Sequence, residues 1–224
     1  MIWSDSRKLC FIHIPKTGGT SITESYEPQM LFGDVLLGGV QFAEKLQPIY
    51  RERYGLHKHS GARHVISIVG EDRFKGQYSF AMLREPVERM VSFFKWLRRP
   101  DILPGLKEEL RPLSQIAGFT EFAEVARASF YPQSIFVTDL AGNLAVDEVF
   151  PVDMMDYAVS SLSKYIGAPL KTRHGNKSEN LHVEVSSEAR GIIEDFYSAD
   201  AKLYMTAKQR LAERMASVEP NAPL

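Results

Sequence analysis

Cysteine is nearly absent from this chain of 224 residues: Cys10 stands alone. One thiol excludes an internal disulfide and a cysteine-built zinc cluster, and it suits a reducing compartment. Long apolar runs are missing too. No stretch approaches the roughly 18 residues that a membrane-spanning helix needs. The opening "MIWSDSRKLCFIHI" lacks a basic segment followed by the roughly 7–15-residue apolar core of a secretory leader. Together these absences predict a cytoplasmic protein with no membrane insertion. Charge of one sign is also lacking. The 27 Lys and Arg against 28 Asp and Glu leave a formal net charge of −1. No whole-molecule field therefore draws the chain to nucleic acid or to an anionic membrane, although a local basic site remains compatible with that balance. Repeats and low-complexity segments are absent as well.

What is present is an ordinary globular composition, 44% hydrophobic and 25% charged, which at this length predicts one domain over residues 1–224. "KLCFIHI" (8–14) is a short apolar run followed at once by a turn signal, the mark of a buried and parallel strand. Thr20 or Ser21 then serves as N-cap of a helix. "SGARHVISIVGEDRF" (60–74) reads as a helix begun by Ser60 and ended near Gly70. "QYSFAMLRE" (77–85) is a second buried strand, and Pro86 opens an amphipathic helix after it. Residues 100–112 form a loop-like insertion with a short helix at most. A helix over 119–130, strands over 134–139 and 147–153, and a helix over 155–167 follow. A polar loop spans 172–180. One last helix, from 186 onward, carries Ile192, Ile193, Phe196 and Tyr197 on one face. Strands alternating with helices indicate an α/β fold, a central and mostly parallel sheet flanked by helices. Ligands in such sheets bind beyond the carboxyl ends of strands, where the loops after Ile14 and Leu83 lie.

The first of those loops is "IPKTGGTS" (14–21). It has the glycines, lysine and hydroxyls of a phosphate-gripping loop, but Lys16 precedes the glycines, whereas a Walker A loop places lysine after them. Gly18 and Gly19 let the backbone approach an anion, and the helix beyond them points free N–H groups at it. Thr20 and Ser21 add hydroxyls and Lys16 a positive charge. A plain Gly-Gly turn with capping hydroxyls is the alternative. The second loop, "LREPVERMVSFF" (83–94), offers Arg84 at a strand end and Ser92 two helical turns on, both within reach of one phosphate. Its alternative is a Pro-initiated helix with surface charges, Arg89 pairing with Glu85 at i,i+4 spacing.

"PKTGGTS" followed about seventy residues later by "R-E-P-x-x-R-x-x-S" resembles the sulfotransferases that use 3′-phosphoadenosine 5′-phosphosulfate. Within them the chain is most similar to the carbohydrate group that includes heparan sulfate 2-O-sulfotransferase. Weaker echoes follow in the same order: "PQS" (132–134), "NKS" (176–178) and "DFYSADAKLY" (195–204). The resemblance implies a nucleotide-kinase-like, P-loop-type fold. It implies that Lys16, Thr17, Gly18, Gly19, Thr20 and Ser21 hold the 5′-phosphosulfate, and that Arg84 and Ser92 hold the 3′-phosphate. It also makes Arg173, Asn176, Lys177 and Ser178 candidates for closing over the nucleotide, against a solvated connector. A transferring sulfuryl group carries less negative charge than a phosphoryl group, so no metal is expected and a "GK[ST]" hydroxyl for magnesium is not needed.

An acceptor hydroxyl needs a base. "HKHSGARH" (57–64) contains an H-x-H that resembles the histidine pair of the 2-O-sulfotransferases, which makes His59 the general base and His57 an auxiliary. Exposed loop histidines and a metal site are the alternatives. His64 reads as packing or surface, His13 as a hydrogen-bonded core histidine within the first strand. Lys95, Arg98, Arg99 and Arg111 are available to an acidic saccharide, or belong to a solvated face. "SFFKW" reads as core ahead of an adenine shelf. The acceptor expected is a saccharide, lipid precursor or small alcohol. Two rivals remain: an ATP-dependent kinase, for which Asp139 is the magnesium-binding candidate, and a catalytically inactive nucleotide-binding protein on the same fold.

Overall fold

The computed structural model describes residues 1–171 and 181–217. It is α/β, with a five-stranded mixed sheet flanked by helices. β1 (Ile2–Ser4) and β2 (Leu9–Ile12) form a hairpin. After them come α1 (Gly19–Tyr26), the short β3 (Val35–Leu36), α2 (Gln41–Tyr54), α3 (Ala62–Val69) and α4 (Glu71–Lys75). β4 (Tyr78–Leu83) leads into α5 (Pro86–Trp96), α6 (Arg111–Gln115), α7 (Phe119–Ala126) and α8 (Ser134–Val137). β5 (Glu148–Pro151), α9 (Met155–Ile166), α10 (Ser187–Phe196) and α11 (Ser198–Ser217) complete the order. The sheet runs β3-β1-β2-β4-β5. β1 is antiparallel to both its neighbours, while β2, β4 and β5 are parallel, so the mostly parallel expectation holds only for that half. Among the described residues no helix is long and apolar enough to cross a membrane.

The pleat sorts the core into two faces. Cys10, Ile12, Ala81, Leu83 and Val149 face one way and pack with α3, α4 and Tyr204. Leu9, Phe11, Phe80, Met82 and Phe150 face the other and meet α1 and α9. Both faces are covered, which is why these strands read as unbroken apolar runs rather than alternating ones. A third cluster lies away from the sheet: α5, α7 and α10, with the segments beside them, enclose Phe93, Phe94, Phe119, Phe122 and Phe130. The Phe93 and Phe130 rings stack at 3.8 Å. Phe93 and Phe94 of the aromatic run are thus core.

Several local expectations are corrected. α1 starts at Gly19 with Gly18 as its N-cap, so neither Thr20 nor Ser21 caps it. Gly61, not Ser60, precedes α3, because the Ser60 hydroxyl accepts the His57 N–H at 3.0 Å instead. Gly70, at φ 88°, breaks the 60–74 helix into α3 and α4. The last helix is broken at Tyr197, whose hydroxyl is drawn to the carbonyls of Arg127 and Phe130, both at 2.7 Å. Phe196 ends 43% exposed, so it leaves the buried face assigned to it. Residues 134–137 are a helical turn, not a strand.

The reason for that last correction lies far along the chain. Asp200 on α11 accepts the N–H groups of Gln133 at 2.6 Å and Ser134 at 2.9 Å, and so caps α8 from outside. A tertiary contact outweighs the strand preference of Ile135, Phe136 and Val137. The same carboxylate lies 4.0 Å from the buried guanidinium of Arg89. Removing one member of a buried ion pair leaves the other uncompensated. Asp200→Ala should therefore lower stability by about 3–5 kcal/mol, measured by urea unfolding. A loss within the range of a surface substitution would show that α11 does not anchor this junction.

Candidate functional site

β2 and β4 lie side by side and parallel, Ile12 opposite Ala81, so the loops that follow them leave the same end of the sheet. In the first loop Thr17 is fully buried and its hydroxyl donates to the Ile14 carbonyl at 3.0 Å, closing the turn from within. That hydroxyl is engaged inside the loop, unlike those of Thr20 and Ser21, which are partly exposed. Lys16 (φ 66°) and Gly18 (φ 81°) both adopt left-handed backbone. For Gly18 this is free. For Lys16 it costs about 1–2 kcal/mol, the kind of strain that collects at functional sites. Among the described residues α1 has no side-chain cap, and its first turn holds no acidic residue, so nothing described there opposes an anion at its positive end. Gly19 is needed for a second reason: an added Cβ would fall on the His13 ring.

Lys16 extends over Trp96, its Nζ 5.4 Å from the indole centroid. Burial pushes its pKa down to about 8, and the nearby positive charges of Arg84, Arg99 and Lys58 push the same way. Burial also lowers the Arg84 pKa. Among the described residues, neither Lys16 Nζ nor the Arg84 guanidinium is salt-bridged to an acid. The structure thus brings the two motif cations to one place. Ser92 lies on α5, 9% exposed. The Arg89–Glu85 pairing is overturned. Arg89 turns inward, its Nε donating to the Pro15 carbonyl and a terminal nitrogen to the Tyr131 carbonyl, both at 3.0 Å. The Glu85 carboxylate caps α5 instead, accepting the Glu88 N–H at 2.8 Å.

The histidines follow from the turn 57–60, where the Ser60 N–H donates to the His57 carbonyl at 3.0 Å. His57 Nδ1 accepts the His59 backbone N–H at 3.2 Å. His59 Nδ1 lies 2.8 Å from the His13 carbonyl. A carbonyl only accepts, so Nδ1 carries the proton and the lone pair of neutral His59 sits on Nε2. Burial pushes the His59 pKa down to about 3 and that of His57 to about 4. His13 lies just past β2 rather than within it. It stacks on Phe11 at 5.5 Å, meets His59 edge-on at 4.9 Å, and its buried Nδ1 has no hydrogen-bond partner among the described residues. The expected hydrogen-bonded core histidine is therefore a site neighbour.

Around the rim, Arg98 is engaged within the protein: it donates to the carbonyls of Phe94 and Ile116, and its guanidinium carbon lies 3.3 Å from the Phe94 ring centroid. Arg99 pairs with Asp101 at 2.7 Å. Asp139 accepts the N–H groups of Ala141 and Asn143 at 2.9 and 2.8 Å in a tight turn. Among the described residues no group of three His, Cys, Asp or Glu is placed to hold a metal ion. Arg173, Asn176, Lys177 and Ser178 lie outside the described residues.

Three participants were not assigned from sequence: Gln133, which hydrogen-bonds the Arg84 backbone, Asp200, and the inward-turned Arg89. Their only sequence signal is their place in the motif "R-E-P-x-x-R" and in the echoes "PQS" and "DFYSADAKLY". No protein-family model matches this chain, and no curated protein matches it. Lys16 loses its charge as the pH rises through about 8, and a bound anion favours its charged form. Inorganic sulfate, whose own charge is constant over this range, should therefore bind best below that pH and more weakly as the pH rises through it. Calorimetric titrations on either side check this; an affinity indifferent to pH would separate Lys16 from the anion.

Proposed function

We propose that the chain is a cytoplasmic sulfotransferase that moves a sulfuryl group from 3′-phosphoadenosine 5′-phosphosulfate to an acceptor hydroxyl, without a metal ion. One observation carries the reading. Adjacent parallel strands deliver Lys16 and Arg84 to one end of the sheet, beside a histidine whose free nitrogen is set by hydrogen bonding. A P-loop-type sulfotransferase fold belongs to the same proposal. The parallel set β2, β4, β5 and the glycine loop opening α1 support it.

The donor would supply the sulfuryl group and a leaving 5′-phosphate. Lys16 and the N–H groups at the start of α1 face the charge that gathers on that phosphate. Arg84, with Ser92, receives the 3′-phosphate. His59 Nε2 takes the proton of the acceptor hydroxyl as its oxygen bonds to sulfur. Its low pKa keeps the lone pair available at neutral pH. The negative charge of a bound donor raises that value, toward the range in which a base works well. The acceptor belongs to the alcohols in the wide sense: a saccharide, a lipid precursor or a small alcohol.

The kinase rival needs an acid for magnesium. Asp139 spends its carboxylate on its own turn, and Asp153, which follows β5, is held by the Tyr204 hydroxyl at 2.9 Å and Lys208 at 2.7 Å. The inactive-binder rival expects nucleotide binding that is indifferent to His59 and never followed by turnover.

Thermal unfolding with adenosine 3′,5′-bisphosphate, with AMP, and with ATP plus magnesium separates these readings. At a hundred times its dissociation constant a specific ligand adds about 2.7 kcal/mol, a melting shift of roughly 5–10 °C at this size. The bisphosphate alone should give it, with or without chelator. A shift confined to ATP with magnesium would replace the proposal by the kinase reading. Lys16→Asn keeps a residue that tolerates left-handed backbone, so it should melt normally yet lose the shift. His59→Ala should keep the shift and lose transfer, and surviving transfer would move the base elsewhere.

A further inference from the structure

Gln133 is 1% exposed, and its side-chain amide is turned on the backbone of one residue. Its Oε1 accepts the Arg84 N–H at 2.9 Å, and its Nε2 donates to the Arg84 carbonyl at 2.7 Å. Two hydrogen bonds in opposite senses to one residue are what a neighbouring strand supplies. Among the described residues no strand is there to supply them. β4 ends at Leu83, the last residue paired with β5, and its pairing with β2 stops at Ala81. A side chain therefore continues the sheet by one residue, at the residue that carries the cation. Gln133 is itself immobilised, because Asp200 accepts its backbone N–H at 2.6 Å.

Only an amide has the donor and the acceptor in one plane that this requires. Fixing both backbone groups of Arg84 removes the freedom of its main chain, so the guanidinium swings from a set point.

We propose that Gln133 is the positioning residue of Arg84, and that it determines the preference of the site for a nucleotide bearing a 3′-phosphate. The inference rests on the sulfotransferase reading, which gives that phosphate to Arg84. Gln133→Met keeps length and volume but loses both hydrogen bonds. Gln133→Asn keeps the amide but is one methylene short.

The test compares dissociation constants for adenosine 3′,5′-bisphosphate and AMP in wild type, both variants, Arg84→Ala and the double variant Gln133→Met/Arg84→Ala. Wild type should prefer the bisphosphate. Each Gln133 variant should reduce that preference roughly tenfold to a hundredfold, the worth of a hydrogen bond to a charged group, with AMP binding unchanged. The double variant should be no worse than Arg84→Ala alone, since the two residues act as one unit. Should Gln133→Met fail to fold, Gln133→Asn decides. A preference retained in a folded variant, or additive losses in the double variant, overturns the role of Gln133 while leaving the donor reading intact. A wild type with no preference overturns the donor reading, and the inference with it.

Discussion

Asp200 and Arg89 meet in the interior, with 0% and 4% of their side chains exposed, and the two loops of the site hang from that meeting. Taking two ions out of water costs several kcal/mol each, and attraction offsets this only where the remaining hydrogen-bonding capacity is filled. Here it is filled by backbone. Asp200 takes the N–H groups of Gln133 and Ser134; Arg89 gives to the carbonyls of Pro15 and Tyr131. One side of the pair thus holds the residue before Lys16, and the other holds the residue that brackets Arg84. Burial pulls the Arg89 pKa down to about 10, with Asp200 resisting, so the guanidinium stays charged at neutral pH.

This anchorage explains how the chain sustains an arrangement that is locally unfavourable. Lys16 sits in a left-handed conformation, loses hydration, and faces other cations. Each of these raises the free energy of the loop, and a counter-charge offsets the last two. Strain of this kind collects at functional sites, where it is sustained by the rigidity of the surroundings. The buried pair and the aromatic cluster behind α5 supply the rigidity that permits it.

Much of this was legible in advance because it rests on local chemistry. Buried runs such as "SFAML" have one plausible state beside a sheet, and glycines after a strand announce a turn. The hairpin strand β1 escaped notice since "IWS" is three residues long, too short for a period. Helix α2 carries Pro48 in its interior, and proline is read as a breaker. The strand expected over 134–139 failed for a nonlocal reason, a carboxylate 66 residues away. Arg89 failed likewise: the i,i+4 rule pairs it with Glu85, but that carboxylate is used as a cap and the arginine is swallowed by the core. Residue types at the candidate site could be listed from sequence, whereas which of them turn inward and hold the others depended on burial.

The contact between His13 and Gly19 has a consequence for how such chains diverge. The imidazole occupies the volume that any side chain at position 19 would need. Positions 13 and 19 are therefore not independent: an imidazole at 13 confines 19 to glycine, and a side chain at 19 demands a small residue at 13. Related chains should show the two positions changing together, and a library that randomises one of them alone will miss the combinations that need both to change.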